Sequence, residues 1–507
     1  MGLGFLPGGS PRSAATAVSA DGSVVVGWSS SADSAADGGY DNEAFRWSAS
    51  TGMVGLGDLA GGEFASSATA VSADGSVVVG SGAAGTDFEA FRWTQSTGLI
   101  GLGDLPGGSS RSEAFGVSAD GTIVVGYSGS TASLSSGYYE AFRWAESTGI
   151  VGLGDLPGGT FASSAAAISA DGSIIVGGSF SIFHEGFEWT EASGMVGLGE
   201  LAGGELYSTA TDLSADGSII VGQSSSGPFP TYEAVIWDNA GITGLGDLPG
   251  GRFISVARAV SGDGSVVVGS ADTGAVPASD SNTAFIWDSI HGMRALQDVL
   301  QSEYGLDLSG WWLLDAKDIS DDGRTIVGVG INPSGDAEAW IAILPPACSN
   351  LRDDDGDGLA DYPDDPGCSD ENDGDEHGTT LPCDDGVDND GDATADFVEA
   401  GGGDPGCRSP TAVAENPQCQ DGLNNDGQAG IDFDGGDSLD IDPRDGLIDA
   451  QFNATTPAVG AADPECAVAY RNKETPNPPG GGCGLGAELA LVMPLLGVAA
   501  SRRRRAN

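Results

Sequence analysis

An Asp-Gly pair between two apolar runs recurs seven times, at Asp21, Asp74, Asp120, Asp171, Asp216, Asp263 and Asp322. The spacings are 53, 46, 51, 45, 47 and 59 residues. Such a period restricts a chain to stacked or ring-arranged units, because no single unit can bury its own apolar face. Each unit carries four short apolar pieces. "ATAVSA" precedes the Asp-Gly turn and "SVVVG" follows it, so the pair closes a tight hairpin. "EAFRW" (43–47) alternates apolar and polar residues as a half-buried strand does. "MVGLGDL" (53–59) follows across a Thr-Gly turn, and "AGG" or "PGG" leads to the next unit. Four strands of about five residues in such a period are the arithmetic of a propeller blade. Gly and Pro, 84 and 24 residues, supply the turn chemistry this requires.

The ends of the repeat region complement each other. The last unit, "DAKDISDDGRTIVG…EAWIAILP", stops after its third strand, and the chain begins on a fourth, "MGLGFLPGG". Counting that strand, every strand type occurs seven times. The expectation is an all-β, seven-bladed propeller of four-stranded blades over residues 1–346, closed by the N-terminal strand. An open β-solenoid is the alternative, but it has no need of complementary ends. Trp47, Trp93, Trp144, Trp189, Trp237, Trp287 and Trp340 are read as equivalent third-strand positions that pack blade against blade. Variation concentrates between the second and third strands, from "GSFSIF" to "SSSADSAADGGYDN", and any binding face is expected there. The insert 296–312, helical at its start and aromatic at its end, is expected to cap the last blade.

"AVSADGSVVVG", "EAFRW" and "GLGDLPGG" resemble the HAF-type repeat of bacterial surface and autotransporter-like proteins over about residues 1–345. Glu-Ala-Phe stands here for that family's His-Ala-Phe at 43–45, 89–91 and 140–142. The resemblance implies an extracytoplasmic location and the propeller fold, and no assigned activity.

Beyond the repeats the chemistry changes. Between Cys348 and Cys466 stand 32 Asp and Glu against three Arg and no Lys, a balance that apolar burial alone cannot fold. "DDDGDGLAD" places Asp353, Asp355 and Asp357 at alternate positions before a Gly turn, with the Leu359 carbonyl and Asp361 following. Alternate carboxylates in such a turn converge on a hard cation such as Ca2+. A second copy offers Asp388, Asp390, Asp392 and Asp396, and a third keeps Asn424, Asp426 and Asp432. The flanking helices of an EF-hand are absent, and the stretch resembles the Cys-linked calcium repeats of thrombospondin type 3. A solvated acidic linker without an ion is the alternative. The copies end in "DPGC", "DPGC" and "DPEC". Repeat logic therefore pairs Cys348–Cys368, Cys383–Cys407 and Cys419–Cys466 among fifteen possible connectivities, in an oxidising compartment. This acidic region is assigned residues 347–470.

A Pro/Gly linker (471–482) leads to residues 483–507: Gly480–Gly482, Cys483, an apolar stretch from Leu485 to Ala500, and Arg502–Arg505. The order resembles the C-terminal sorting signals processed by myxosortase or rhombosortase. The resemblance implies a short membrane helix, a sorting protease as partner and processing at Cys483; a plain tail anchor is the alternative. Export also requires an N-terminal signal, and "MGLGFLPGGSPRS" has neither a basic nor an apolar segment. The signal is therefore expected upstream of this sequence; without it the chain would be cytoplasmic, and the disulfide and sorting arguments would fail together.

A net charge of −55 disfavours nucleic-acid binding, which needs Lys and Arg to displace counterions. Only His184, His291 and His377 are present, and none stands in a Ser/His/Asp or Cys/His arrangement. The sequence thus points to a non-catalytic surface or secreted structural or adhesion protein, with surface glycans or matrix proteins as candidate partners. The alternatives are a lectin-like module and a propeller-based hydrolase or lyase.

Overall fold

In the computed structural model the described residues are 1–36, 42–133, 137–180, 183–204, 207–228, 231–274, 282–350 and 358–371, with Glu376, Gly378, Leu381, Cys383, Asp384, Cys407 and Ser409. The chain divides into two compact units, Met1–Leu344 and Pro345–Asn507.

The first unit is the seven-bladed propeller. Six sheets run in the order first, second, third, fourth strand, all antiparallel, and the seventh has three strands of its own. The first strands are Gly8–Val18, Ser66–Val71, Gly107–Val117, Ser163–Ile168, Ser208–Leu213, Ser255–Val260 and Trp312–Ile319. Each lies beside the next around the whole circle, so these strands surround the axis. Blade 7 takes its fourth strand from the N-terminus. Gly2 bridges Trp340, the Leu3 amide donates to the Ala339 carbonyl at 2.8 Å, and the Ile341 amide donates to the Met1 carbonyl at 2.9 Å.

Each letter of the repeat has a mechanical reason. In "SADG" the Asp21 carboxylate accepts from the Ser19 hydroxyl (2.7 Å) and the Ser23 amide (3.0 Å), which fixes the turn. The Ala20 amide then donates to the Ala73 carbonyl of the next blade. The same bond repeats from Ala73 to Ala119, Ala170, Ala215, Gly262 and Asp321, and Asp321 donates back to Ala20 at 3.1 Å. Seven backbone hydrogen bonds thus form a closed ring at the turn end of the axis. The Gly of "VVVG" stands opposite a bulge in the first strand. A Cβ on Gly27 would lie 2.1 Å from the Ala14 carbonyl oxygen, so only glycine fits.

"EAFRW" and "GLGDL" are halves of one device. Glu43 Oε1 accepts the Gly57 amide at 3.2 Å, and a Cβ on Gly55 would meet that carboxylate at 2.1 Å. Gly57 itself stands at φ 83°, a conformation that favours glycine. Glu89, Glu140, Glu185 and Glu233 make the same bond to Gly103, Gly154, Gly199 and Gly246. Glu338 makes it to Gly4, across the closure, at 3.0 Å. Blade 6 has lost both halves together: Thr283 replaces the Glu, and Ala295 and Gln297 replace the two glycines. Phe45 is fully buried in its blade. Arg46 donates to the Gly75 carbonyl of the next blade at 3.2 Å.

The tryptophans pack between blades as expected. Trp47 joins the cluster containing Val327, Ala339 and Ile341 of blade 7, and Trp93 packs against Val24, Val26 and Ala44 of blade 1. Trp340 is a correction. It pairs with Gly328 as Phe45 pairs with Gly27, whereas Ala342 occupies the register of Trp47. The large ring of blade 7 thus stands two residues earlier in the strand, where it packs with Leu313 and with Leu296, Val299 and Leu300 of the helix Leu296–Ser302. That helix buries Leu296, Val299 and Leu300 where the Glu–Gly device is missing. The insert therefore packs into the junction of the last two blades.

In the second unit Cys348 is bonded to Cys368 and Cys383 to Cys407, the first two pairs expected from the repeats. Cys419, Cys466, Cys483 and the apolar helix expected near the C-terminus lie outside the described residues. No helix among the described residues is long and apolar enough to cross a membrane.

Removing residues 1–6 exposes the edge of blade 7 and deletes two buried leucines, Leu3 and Leu6. The melting temperature should fall by roughly 5–10 °C. An unchanged calorimetric trace would show that the closure contributes nothing.

Candidate binding site

Alternating strand direction gives the propeller two different faces. The Asp-Gly and Thr-Gly turns share one end. The loops from second to third strands and the connections between blades share the other. The turn end repeats nearly without change, and the loop end carries the variation.

Across blades 3–5 the loop end holds a chain of aromatic rings. Tyr127 stacks on Tyr139 with centroids 4.5 Å apart, and the neighbouring Tyr138 lies near-parallel to Phe180 at 5.6 Å. Phe180 meets His184 edge-on at 4.7 Å, His184 stacks on Tyr207 at 5.0 Å, and Tyr207 reaches Tyr232 at 5.1 Å. The rings sit at strand ends: Phe180 closes the strand Ile174–Phe180, His184 opens His184–Thr190 and Tyr232 opens Tyr232–Asp238. The position of Tyr127 is held by Trp28 in blade 1, and by Ser81, Gly178, Gln223, Ser270 and Val329 in blades 2 and 4–7. The chain of rings is thus a departure from the repeat.

Tyr127, Tyr138, Tyr139, Phe180 and His184 line a groove of about 240 Å³ with Ser164, Gly178 and Thr209. His184 Nδ1 lies 2.8 Å from the Ser208 carbonyl, which can only accept, so Nδ1 carries the proton. Burial lowers the pKa of this imidazole, which keeps it neutral and leaves Nε2 an acceptor. At one flank Arg111 pairs with Glu113 at 2.5 Å, and its guanidinium lies 5.8 Å above the Tyr139 ring. Burial, and then Glu113, raise the pKa of Tyr127, so its phenol stays protonated. Tyr207 accepts from Gln223 Nε2 at 3.2 Å.

A second departure lies around the axis. Ala17, Ala70, Gly116, Ala167 and Ala259 stand at one position of the first strand, but Asp212 and Asp318 replace them in blades 5 and 7. Asp212 accepts the Val260 amide at 3.0 Å, and Asp318 accepts the Val18 amide at 2.8 Å, each tying its blade to the next. Burial raises the pKa of Asp212 to about 7, with Asp321 adding to the effect. Burial and the charge of Asp212 push Asp318 well above the ordinary carboxylate range. "TATDLSAD" and "DAKDISDD" held the signal for this asymmetry.

In the second unit, Leu359 and Asp361 are the described members of the expected calcium set. Asp353, Asp355, Asp357, Asp388, Asp390, Asp392, Asp396, Asn424, Asp426 and Asp432 lie outside the described residues, as does His377. Asp361 stands at φ 59°, a turn conformation that Asp tolerates, and its amide donates to Glu376 Oε1 at 3.3 Å. Asp365 and Glu376, which the motif reading missed, are buried with carboxylate oxygens within 4.8 Å. Cys368 is equally near, but its sulfur is held in the disulfide and is no thiolate ligand. Two oxygen-donor groups at this distance form an acidic group able to hold a metal ion.

No protein-family model matches this chain, and no curated protein matches it. Solved structures of similar fold include TolB from Acinetobacter baumannii, at 14 % identity over 53 % of this chain and 61 % of that one, with a TM-score of 0.36. An oligogalacturonate lyase in complex with manganese aligns at 13 % identity over 65 % of this chain and 88 % of that one, TM-score 0.39. The β-propeller domain of the Trilobed protease from Pyrococcus furiosus, described as having an open velcro topology, aligns at 10 % identity over 65 % and 95 %, TM-score 0.38. At TM-scores below 0.5 these likenesses carry no conclusion about this chain, whose propeller rests on its own strand order.

The raised carboxylates make stability depend on pH. Unfolded Asp212 titrates near the ordinary 3.8 and folded Asp212 near 7, so between these values the folded state holds a proton that the unfolded state lacks. Its contribution is most favourable below about pH 4, declines as pH rises and levels off above about 7. Asp212→Asn should flatten this slope and raise the melting temperature at pH 8 by a few degrees. Parallel slopes for both proteins between pH 4 and 8 would refute the assignment.

Proposed function

We propose that this chain is a bacterial cell-surface or secreted adhesion protein. It has a non-catalytic propeller as its binding head and a calcium-stabilised acidic stalk. The concentration of aromatic rings on the loop face of blades 3–5 carries this reading. A scaffold repeating one structural unit has no need of a run of ring contacts across three blades with Tyr138 and Phe180 exposed, whereas a binding surface does. The two disulfides support an oxidising compartment outside the cytoplasm. The aromatic groove also favours a lectin-like role as the second reading. Surface immunolabelling of intact cells, with attachment measured for strains with and without residues 1–344, tests the proposal. Absence of surface label, or equal attachment by both strains, would overturn it.

Calcium is the cation proposed for the stalk, held in the first copy by Asp353, Asp355, Asp357, the Leu359 carbonyl and Asp361. Repulsion among uncompensated carboxylates expands such a segment, and a bound divalent ion contracts it. Adding Ca2+ to chelator-treated protein should release calorimetric heat and reduce the radius of gyration in small-angle scattering. Equal radii and no heat would exclude a calcium site.

Sorting is proposed to end with cleavage near Cys483. Protein recovered from the cell surface should then have an intact mass lacking Arg502–Arg505. A mass that includes the four arginines would leave a simple membrane anchor in place of a processed signal.

A further inference from the structure

We propose that the groove across blades 3–5 binds a neutral saccharide chain, an inference that rests on the adhesion reading and names its ligand. The shape and chemistry of the lining select this class. Tyr138 and Phe180 are 49 % and 39 % exposed, both line the groove, and their rings lie near-parallel to each other, 22° apart at 5.6 Å, so together they offer it an apolar surface. One face of a pyranose ring presents only C–H groups, which pack on such a surface and remove it from water, while the hydroxyls point sideways.

The polar atoms beside these rings suit hydroxyls and no charged group. His184 Nε2 is an acceptor, because Nδ1 donates to the Ser208 carbonyl. Thr209 lines the groove with a hydroxyl that both donates and accepts. A Cβ on residue 178 would press within 2.9 Å of both Nε2 and the Thr209 Oγ1, and Gly178 keeps that space clear. At about 240 Å³ the groove is smaller than the ~300–1,000 Å³ sites that engulf a drug-sized ligand, so it grips part of a longer chain.

Charge narrows the class further. A chain of net charge −55 repels uronic-acid polymers and nucleic acids alike. The lining contains no unpaired cation to offset that field, since Arg111 at the flank is paired with Glu113. A neutral saccharide escapes this repulsion and makes no demand for ion pairing.

The test is calorimetric titration of the full chain with cellohexaose, xylohexaose, mannohexaose and chitin hexasaccharide, with oligogalacturonate as the anionic probe. At least one neutral hexasaccharide should bind with a dissociation constant on the order of 0.1–1 mM. Oligogalacturonate should not. Tyr138→Ala combined with Phe180→Ala should weaken binding about tenfold or more, the loss of one ring stack of ~1.4 kcal/mol. Both rings are partly exposed and lie outside the blade cores, so the melting temperature should fall by no more than a few degrees, and Phe180→Tyr should retain affinity. Binding of none of the neutral probes, stronger binding of oligogalacturonate, or equal affinity of the double variant would overturn the proposal. If surface display and attachment persist in that case, the saccharide inference fails alone. Their loss would instead remove the adhesion reading beneath it.

Discussion

The ring of seven backbone hydrogen bonds at the Asp-Gly turns is the contact on which the rest depends. Each blade is a small sheet whose two faces are apolar, so it is stable only when pressed between neighbours on both sides. A row of such sheets leaves two open faces, and a ring leaves none. Closing it requires the last turn to reach the first, as the Asp321 amide does to the Ala20 carbonyl. At the same seam Glu338 accepts the Gly4 amide, the Ser13 hydroxyl donates to the Gly4 carbonyl, and Asp318 accepts the Val18 amide. Equivalent bonds hold adjacent blades elsewhere: the Ser66 hydroxyl donates to the Gly57 carbonyl and accepts the Ala44 amide. The closing seam is thus built from the same parts as an internal one, with the N-terminal strand substituted for the missing fourth strand.

This economy divides the molecule by function. The turn end carries the hydrogen-bond ring, and its residues are held to Ser, Ala, Asp and Gly by the geometry of the turn and its neighbour. The loop end carries no such ring. Substitutions there change what the surface presents without opening the circle, and the contacts from Tyr138 to Tyr232 run through such positions in blades 3–5. Blade 6 shows the limit of tolerance. Where Thr283 stands in place of the glutamate, the paired glycines are absent too, and the apolar helix Leu296–Ser302 packs into the junction with blade 7.

The second unit follows another principle. With 32 acidic residues and three arginines between Cys348 and Cys466, it has too little apolar surface to hold itself together. Covalent links replace the core: Cys348–Cys368 and Cys383–Cys407 restrain the chain locally. The buried Asp365 and Glu376 bring their carboxyl oxygens within 4.8 Å of one another beside the first disulfide.

The number of blades, the strand order, the closure by "MGLGF" and the two described disulfide pairs were legible in the sequence, because each is set by local chemistry that repeats. Asp-Gly makes a turn wherever it stands, and a glycine facing a glutamate carboxylate is needed in every blade that has one. What the sequence could not decide involves residues distant along the chain. Trp340 reads as one of seven equivalent tryptophans until the register shows it opposite Gly328, in the place of Phe45. Tyr138 and Phe180, like His184 and Tyr207, are unrelated letters in different repeats, and only the circular arrangement puts their rings in contact. Asp212 and Asp318 stand 106 positions apart and influence each other's protons only because two blades bring them to the same axis. Period determines a repeating scaffold, whereas a site depends on which exceptions to the repeat meet, and that is a property of the closed ring.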